Sequence, residues 1–210
     1  GRSDVGLVRE NNEDSGFIGK NFLLVADGMG GHAAGELASS TAVSVVAQLE
    51  SSLDKISDID KKLFNIPSVI SKELKNTISK DSTRSGMGTT LTTVVLHDNS
   101  LRVVHVGDSR AYLIREKQIK AITKDQSYIQ SLIDNNEITL EEAKTHPQRS
   151  LLLQAIDGLT EATAFIDSVE VIAGDKLVLC SDGLTNVVSD QEILEIVNQF
   201  EYVGAVSALI

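Results

Sequence analysis

Three runs of apolar and β-branched residues follow one another in the middle of the chain, with only turns between them. They are Thr89–Leu96, Leu101–Val106 and Ala111–Arg115, and Asp98-Asn99-Ser100 forms the first turn. Runs of this kind, bounded by turn residues, predict the antiparallel strands of a meander. The sequence therefore favours a fold that is built on antiparallel sheets.

The remaining predicted elements come in blocks rather than in alternation. In chain order they are a strand at Phe17–Ala26, helices at about 34–50 and 61–80, short helices at Tyr128–Asn135 and Thr139–Lys144, strands at Ala164–Ile172 and Lys176–Cys180, a helix at about 190–199 and a last helix from near Tyr202. Because strict strand–helix alternation is absent, a doubly wound parallel sheet is disfavoured. Antiparallel sheets with helices packed outside them are the better interpretation.

Composition disfavours several classes of function. The 210 residues fit one domain or at most two small ones. Nineteen basic against 30 acidic residues give a net charge of −11 without a basic cluster, so a nucleic-acid partner is not expected. The only cysteine is Cys180, which predicts a reducing, cytoplasmic setting. No apolar run approaches the roughly 18 residues of a membrane span, and Gly1–Asp4 lack the apolar core of a secretion signal.

Four acidic sites share one context, the end of an apolar strand followed by a turn or a glycine. They are Asp27-Gly28, Asp108, Asp182-Gly183 and Glu13-Asp14. Carboxylates that are held together repel one another unless cations neutralise them, and oxygen ligands select Mg²⁺, Mn²⁺ or Ca²⁺. An Asp-Gly pair is also the ordinary residue choice for a turn. The pattern alone therefore leaves a metal site and a set of simple turns as alternatives.

Four other side chains are of types that can take part in catalysis. The residue pattern leaves the role of two of them open and favours a structural role for the other two. Arg9 could hold a phosphate through two parallel hydrogen bonds, or form a surface ion pair with a neighbouring glutamate. His32 could donate a proton to a leaving group, or serve as a structural residue at a helix start. His105 and Cys180 both lie inside apolar strands, so we expect them to be core residues without a catalytic role.

Read in order, the motifs of this chain carry a resemblance. They are Arg9, Asn12-Glu13-Asp14, Asp27-Gly28-Met29-Gly30-Gly31-His32, Gly88-Thr89-Thr90, Val106-Gly107-Asp108-Ser109-Arg110, His146-Pro147-Gln148-Arg149-Ser150 and Ser181-Asp182-Gly183-Leu184. Together they resemble the metal-dependent serine/threonine protein phosphatases of type 2C, in particular the bacterial branch. The resemblance implies an α+β fold, a central β-sandwich of two antiparallel sheets flanked by helices in α-β-β-α layers. It also implies that residues 1–210 form one catalytic domain, with a flap at about 126–160.

The same resemblance implies a centre of two divalent ions, Mn²⁺ or Mg²⁺, with a third ion in bacterial members. Asp27 would bridge the two ions, the Gly28 carbonyl would bind one of them, and Asp182 would bind the other. Glu13 and Asp14 would hold a metal directly or through its waters.

Further residues of the resembling motifs would complete the site. Asp108 and Asp182 would form the third-metal site, with Ser150 of the flap nearby, and Arg9 would hold the substrate phosphate. Eukaryotic members carry a histidine where this chain has Met29. The resemblance therefore leaves His32 and a metal-bound water as alternative proton donors.

The chain departs from the family pattern after Asp182. The family's last metal ligand belongs to an Asp-Asn pair beyond the final helix, and no such pair follows Asp182 here. The one later aspartate, Asp190, stands beside Ser189 at a helix start, where capping explains it. We therefore expect the sequence to be clipped at both ends and to lack one carboxylate of the binuclear centre.

The expected activity is hydrolysis of phosphoserine and phosphothreonine in proteins by a water that the two metals activate. Expected partners are phosphorylated proteins, including a cognate serine/threonine kinase, and the protein is expected to act as a monomer. Neither nucleic acid nor a membrane segment of this chain is expected to take part. Two alternatives stay open: a phosphohydrolase for small phosphate esters, and a catalytically impaired regulatory module of the same fold.

Overall fold

The computed structural model describes residues 1–31, 33–52 and 58–210. The strands in this part of the chain are β1 (Asp14–Ile18), β2 (Phe22–Met29), β3 (Gly88–Thr89), β4 (Leu91–His97), β5 (Ser100–Val106), β6 (Arg110–Arg115), β7 (Gln118–Ala121), β8 (Phe165–Glu170) and β9 (Lys176–Cys180). The helices are α1 (Ala33–Glu50), α2 (Ile59–Phe64), α3 (Ile66–Lys80), α4 (Tyr128–Asp134), α5 (Leu140–Lys144), α6 (Asp182–Thr185), α7 (Asp190–Gln199) and α8 (Tyr202–Ala208).

The strands form two antiparallel sheets. The large sheet has the order β1-β2-β4-β5-β8, and the short strand β3 pairs with β2. The small sheet has the order β7-β6-β9. The predicted meander is confirmed, but it passes from the large sheet into the small one between β5 and β6. This change of sheet places the β5–β6 turn where the two sheets meet.

Side chains on the two faces of each sheet enter different cores, which gives the α-β-β-α layers that the resemblance implied. The outer face of the large sheet packs against α1 and α3 through residues such as Leu24 and Ile70. Its inner face packs against the small sheet through residues such as Val103 and Leu113. The small sheet then packs against α7 and α8, with Tyr112 and Ile193 fully buried in this third core.

The prediction of a single strand at Phe17–Ala26 is wrong, because these residues belong to the two strands of the β1–β2 hairpin. Gly19 donates its N–H to the carbonyl of Phe22 at 2.8 Å. The Glu50 carboxylate at the end of α1 accepts from the N–H groups of Asn21 and Phe22 at 2.7 and 3.3 Å. A side chain that is distant in sequence thus completes the turn, and local residue preference does not reveal this.

Three further elements differ from the expectation. The helix expected at about 61–80 is two helices, because Pro67 in the first turn of α3 has no N–H to continue α2. The run Thr89–Leu96 is interrupted between β3 and β4 at Thr90. Strand β7 was not expected, because its turn contains Glu116 at φ 55 instead of a glycine or asparagine. None of the helices in residues 1–31, 33–52 and 58–210 is long and apolar enough to cross a bilayer.

Candidate metal centre

Asp14 and Asp27 face each other across the β1–β2 hairpin. They are direct partners in the antiparallel register, so their side chains project from the same face of the sheet. This is the inner face, because Leu23, four residues before Asp27 on β2, packs in the core between the two sheets. Asp27 and Gly28 lie inside β2, which ends at Met29. The expectation that the strand ends at Ala26 and a turn begins at Asp27 is therefore wrong.

Asp182 joins the pair from the small sheet. Strand β9 ends at Cys180, and Asp182 is the first residue of α6. Ser181, between them, donates its hydroxyl to Oδ2 of Asp14 at 2.6 Å across 167 positions of sequence. The Asp182 carboxylate itself accepts from Nδ2 of Asn186 at 3.1 Å. The end of β9 is thereby bonded directly to the start of β1.

Asp108 enters from the turn in which the chain leaves the large sheet for the small one. Gly107 before it has φ 107, and a Cβ there would lie 2.6 Å from Cγ2 of Thr90. Glycine is required here for both the backbone conformation and the close packing. The backbone conformation that places Asp108 therefore requires glycine at position 107.

Thr90, to which the sequence assigned no role, holds Asp27 and the Asp108 turn together. Its N–H donates to the Asp27 carbonyl, and its Oγ1 accepts from the Asp27 N–H, both at 2.9 Å. The same Oγ1 lies 2.9 Å from Oγ of Ser109, and both hydroxyls are buried. The Gly88-Thr89-Thr90 motif was the available sequence signal, but this pairing depends on strands that only the fold brings together.

The carboxylates repel one another in a partly dry cleft. Burial, followed by the charges of Asp14, Asp182 and Asp108, raises the pKa of Asp27 to about 8. Burial, followed by the charges of Asp182 and Asp125, raises the pKa of Asp108 to about 7. Burial also raises the pKa of Asp14, with a partial offset from the Ser181 hydrogen bond. The four carboxyl groups therefore cannot all ionise at neutral pH without a compensating positive charge.

This donor set fits hard divalent cations. It consists of oxygen atoms alone, and the repulsion among them is the feature that a cation relieves. In the residues that the structure describes, no three His, Cys, Asp or Glu side chains are already converged as a complete ligand set.

Gly28 and Glu13 lie where β2 meets the start of α1. The Gly28 N–H donates to the Glu13 carbonyl at 3.2 Å, and a Cβ on Gly28 would lie 2.1 Å from the carbonyl oxygen of Gly35. A Cβ on Gly35 would in turn lie 2.4 Å from Oε2 of Glu13. The Glu13 carboxylate is thus placed against the first turn of α1. The roles implied for Gly28 and Glu13 as metal ligands stay predictions.

Three other expected site residues lie apart from this cluster or outside the description. Arg9 is exposed in a segment before β1, and its positive charge offsets only a small part of the rise that burial causes in the pKa of Asp14. Within the described residues it forms no ion pair, so the expected alternative of a glutamate partner is not observed. Ser150 is exposed in a turn after α5 and has no described hydrogen bond to the carboxylates. His32 lies outside the described residues.

The structure confirms that His105 and Cys180 lie in the core and that Asp190 lies at a helix start. His105 is fully buried, with Nδ1 at 2.9 Å from Thr92 Oγ1 and Nε2 at 3.1 Å from the Lys124 carbonyl. Cys180 is buried, which raises the pKa of its thiol to about 12. Ser189 forms the expected capping box with Glu192, while Asp190 additionally accepts from the buried Tyr112 hydroxyl at 2.9 Å.

The two-sheet fold and the cluster of carboxylates are consistent with a metal-dependent phosphatase, and sequence comparison identifies the family. Residues 10–207 match the family description "Protein phosphatase 2C". The chain belongs to the protein phosphatase 2C family, and the resemblance found in its motifs is confirmed.

Two bacterial phosphatases illustrate the similarity. The chain is 45% identical over 197 residues to the serine/threonine protein phosphatase PstP of Mycobacterium tuberculosis strain H37Rv, covering 92% of this chain and 37% of PstP. It is 35% identical over 205 residues to the serine/threonine phosphatase stp of Listeria monocytogenes strain EGD-e, covering 93% of this chain and 81% of stp. The chain thus spans little more than a third of the length of the mycobacterial relative.

A solved structure shows the same architecture. The crystal structure of the catalytic domain of the serine/threonine protein phosphatase PstP in complex with two manganese ions superposes with a TM-score of 0.89. The two chains are 40% identical, and the alignment covers 99% of this chain and 87% of the other. This similarity supports the α+β fold of two antiparallel sheets flanked by helices.

Proposed function

We propose that this protein hydrolyses phosphoserine and phosphothreonine in proteins with the help of bound Mn²⁺ or Mg²⁺. The observation that carries the proposal is the closeness of Asp182 to Asp14, Asp27 and Asp108, because burial and the charge of Asp182 both raise the pKa of those three carboxyl groups. A binding module has no use for mutually repelling carboxylates, because their assembly opposes folding. The cluster is explained when it holds cations.

We propose that two metal ions are held by Asp27, the Gly28 carbonyl and Asp182. A third metal ion would be held by Asp108 and Asp182. The relative PstP contains two manganese ions in its catalytic domain. When bound, such ions stabilise charge on phosphoryl oxygens and lower the pKa of a coordinated water. In this chain Ser181 holds Asp14 by its hydroxyl, which keeps one carboxylate oriented beside Asp27. Glu13 and Ser150 complete the proposed set.

Arg9 is the proposed phosphate-binding residue. Its guanidinium is near enough to Asp14 to lower that residue's pKa, yet within the described residues it is not consumed by an ion pair. A guanidinium matches two phosphate oxygens at once. Cys180 is buried with a raised thiol pKa, so it cannot serve as a covalent nucleophile. Direct attack by water is therefore the proposed route, and His32 stays a proposed proton donor.

The proposed substrates are phosphorylated proteins, including a cognate serine/threonine kinase, and the proposed working form is a monomer. A single buried cysteine supports a reducing compartment, which includes the cytoplasm. A groove of about 500 Å³ lies between the start of α1 and residues 83–84, and none of the four clustered aspartates lines it.

The test compares phosphopeptides with a panel of sugar phosphates in the presence of Mn²⁺. We expect turnover of phosphoserine and phosphothreonine peptides, loss of turnover with EDTA, and a loss of at least about tenfold with Asp27→Asn, or ~1.4 kcal/mol of barrier. The matched control is Asp98→Asn, the same chemical change on a carboxylate that is 86% exposed in the β4–β5 turn. Preference for sugar phosphates would identify the small-ester alternative, and metal binding without any turnover would identify the regulatory one.

A further inference from the structure

The chain between β7 and β8 leaves the sheets and returns to them beside the turn that carries Asp108. This excursion contains α4 and α5 and the flap segment, which we define as residues 126–160. Gln126 stands at its first residue. The Gln126 N–H donates to the Gly107 carbonyl at 2.7 Å, and the Gly107 N–H donates to Oε1 of Gln126 at 3.0 Å. One residue therefore satisfies both backbone groups of the glycine that precedes Asp108.

The other half of the Gln126 amide reaches the far end of the excursion. Its Nε2 donates to the Thr163 carbonyl at 3.0 Å, two residues before β8. The Gln126 carbonyl also accepts from the Leu153 N–H at 2.8 Å. Gly107 N–H can only donate and Thr163 C=O can only accept, so the position requires a side chain with an acceptor and a donor on one carbon. Glutamine meets this requirement, whereas glutamate and methionine do not.

The residues around Gln126 form a rigid support. Asp125 makes a two-pronged ion pair with Arg110, with distances of 2.8 and 2.7 Å, and its side chain is only 14% exposed. The Lys124 carbonyl meets Nε2 of the buried His105. Bidentate pairs of this kind add geometric restraint to their energy. The start of the flap segment is thus anchored to β5 and β6 on both sides of the Asp108 turn.

We propose that Gln126 is a positioning residue that ties the flap segment to the turn carrying Asp108. The amide holds Gly107, and hence the backbone of Asp108, against both the start of the flap segment and Thr163, three residues beyond its end. Breaking these hydrogen bonds should release the backbone support of Asp108, a carboxylate of the proposed metal centre. The catalytic consequence of this link rests on the proposed phosphatase function, whereas the physical link does not.

Two substitutions separate the two halves of the amide. Gln126→Met keeps the side-chain length but removes both side-chain hydrogen bonds. Gln126→Glu keeps an acceptor for the Gly107 N–H but presents no donor to the Thr163 carbonyl when it is ionised. The matched control is Gln130→Met on α4, because within the described residues the Gln130 side-chain amide bonds only to Oδ1 of Asp134, four positions away, at 3.0 Å.

Hydrogen–deuterium exchange on the metal-free protein tests whether Gln126 holds Gly107 and residues 153–163 in place. With Gln126→Met we expect exchange to be roughly fivefold faster, about the value of one net hydrogen bond, at both Gly107 and residues 153–163. With Gln126→Glu we expect faster exchange at residues 153–163 while Gly107 stays protected. Gln130→Met should change neither region. Unchanged exchange at Gly107 and at residues 153–163 in Gln126→Met would overturn the link.

Calorimetric Mn²⁺ titration and phosphopeptide kinetics test whether Gln126 positions Asp108 for metal binding. We expect Gln126→Met to weaken the weakest Mn²⁺ binding step and to raise KM for phosphopeptide more than it lowers kcat, with Gln126→Glu milder. Faster exchange combined with unchanged Mn²⁺ affinity and unchanged kinetics would reduce Gln126 to a structural residue and overturn the proposal. If the wild-type protein turns over no phosphopeptide, the proposed function fails, and the Mn²⁺ titration alone decides the positioning role.

Discussion

Replacing Asp27 by asparagine should make the metal-free protein more stable and the metal-loaded protein less stable than the wild type. The pKa of Asp27 is raised from 3.8 to about 8, so the native state holds this proton more tightly than the unfolded chain does. Native stability therefore falls as the pH rises from about 4 to about 8, because the unfolded chain releases the proton first. Asparagine has nearly the same shape and carries no charge, so it escapes this loss.

The size of the effect follows from the shift in pKa. One unit corresponds to about 1.4 kcal/mol, so relief of even a single unit raises Tm by about 3–6 °C for a chain of this length. The full shift sets an upper bound, since Asp14 and Asp108 share the same repulsion and redistribute protons when Asp27 is lost. Saturating Mn²⁺ should reverse the order when Asp27 has its proposed role as a metal ligand, because asparagine cannot neutralise the charge of a bound cation.

Differential scanning calorimetry in four conditions checks this reasoning: near pH 4 and near pH 8, each with EDTA and with saturating MnCl₂. We expect the Asp27→Asn variant to melt above the wild type only at pH 8 with EDTA, and below it at pH 8 with Mn²⁺. Asp98→Asn, on an exposed carboxylate, should follow the wild type throughout. Equal stabilisation of wild type and Asp27→Asn by Mn²⁺ would refute the role of Asp27 as a ligand, and equal melting in EDTA at pH 8 would refute the repulsion.

Three further substitutions probe other parts of the centre. Arg9→Ala should raise KM for phosphopeptide more than it lowers kcat, with Arg9→Lys a partial rescue, and an unchanged KM in steady-state kinetics would exclude phosphate binding. Thr90→Val leaves the Asp27 N–H without its side-chain acceptor and should weaken Mn²⁺ binding in calorimetry, whereas Thr90→Ser should stay close to wild type. Gly28→Ala, whose Cβ would lie 2.1 Å from a carbonyl of α1, should lose about 1–3 kcal/mol in urea unfolding, while Gly16→Ala, at 3.4 Å from its nearest neighbour, should lose less.

The sequence predicted most elements of this fold because their signals are local. Runs of apolar and β-branched residues marked β4, β5 and β6, and Ser189 with Glu192 marked the start of α7. The predictions of strand boundaries were wrong where hydrogen bonds to groups distant in sequence determine the backbone conformation. Glu50 completes the β1–β2 turn, and Thr90 interrupts a β-branched run because its hydrogen bonds go to Asp27.

The candidate site divides in the same way. Each carboxylate was visible as a residue type in a motif, but the motif could not say that Asp14 pairs with Asp27 in strand register. Neither Thr90 nor Gln126 carries an ionisable group, and the Gly88-Thr89-Thr90 motif gave no indication of which backbone groups Thr90 bonds to. Their importance comes from hydrogen bonds to backbone groups that are 63 and 19 positions away.

By itself the sequence determined the family, the layer architecture and the identity of the acidic residues, because motif order and apolar periodicity are properties of the chain. Only the tertiary structure decided which carboxylates share a cleft, since the Ser181–Asp14 hydrogen bond closes a loop of 167 positions. It alone also decided their protonation, since burial is the largest cause of the raised pKa of Asp27. Charge repulsion depends on distance and on exclusion of water, and both arise only when the two sheets have packed against each other.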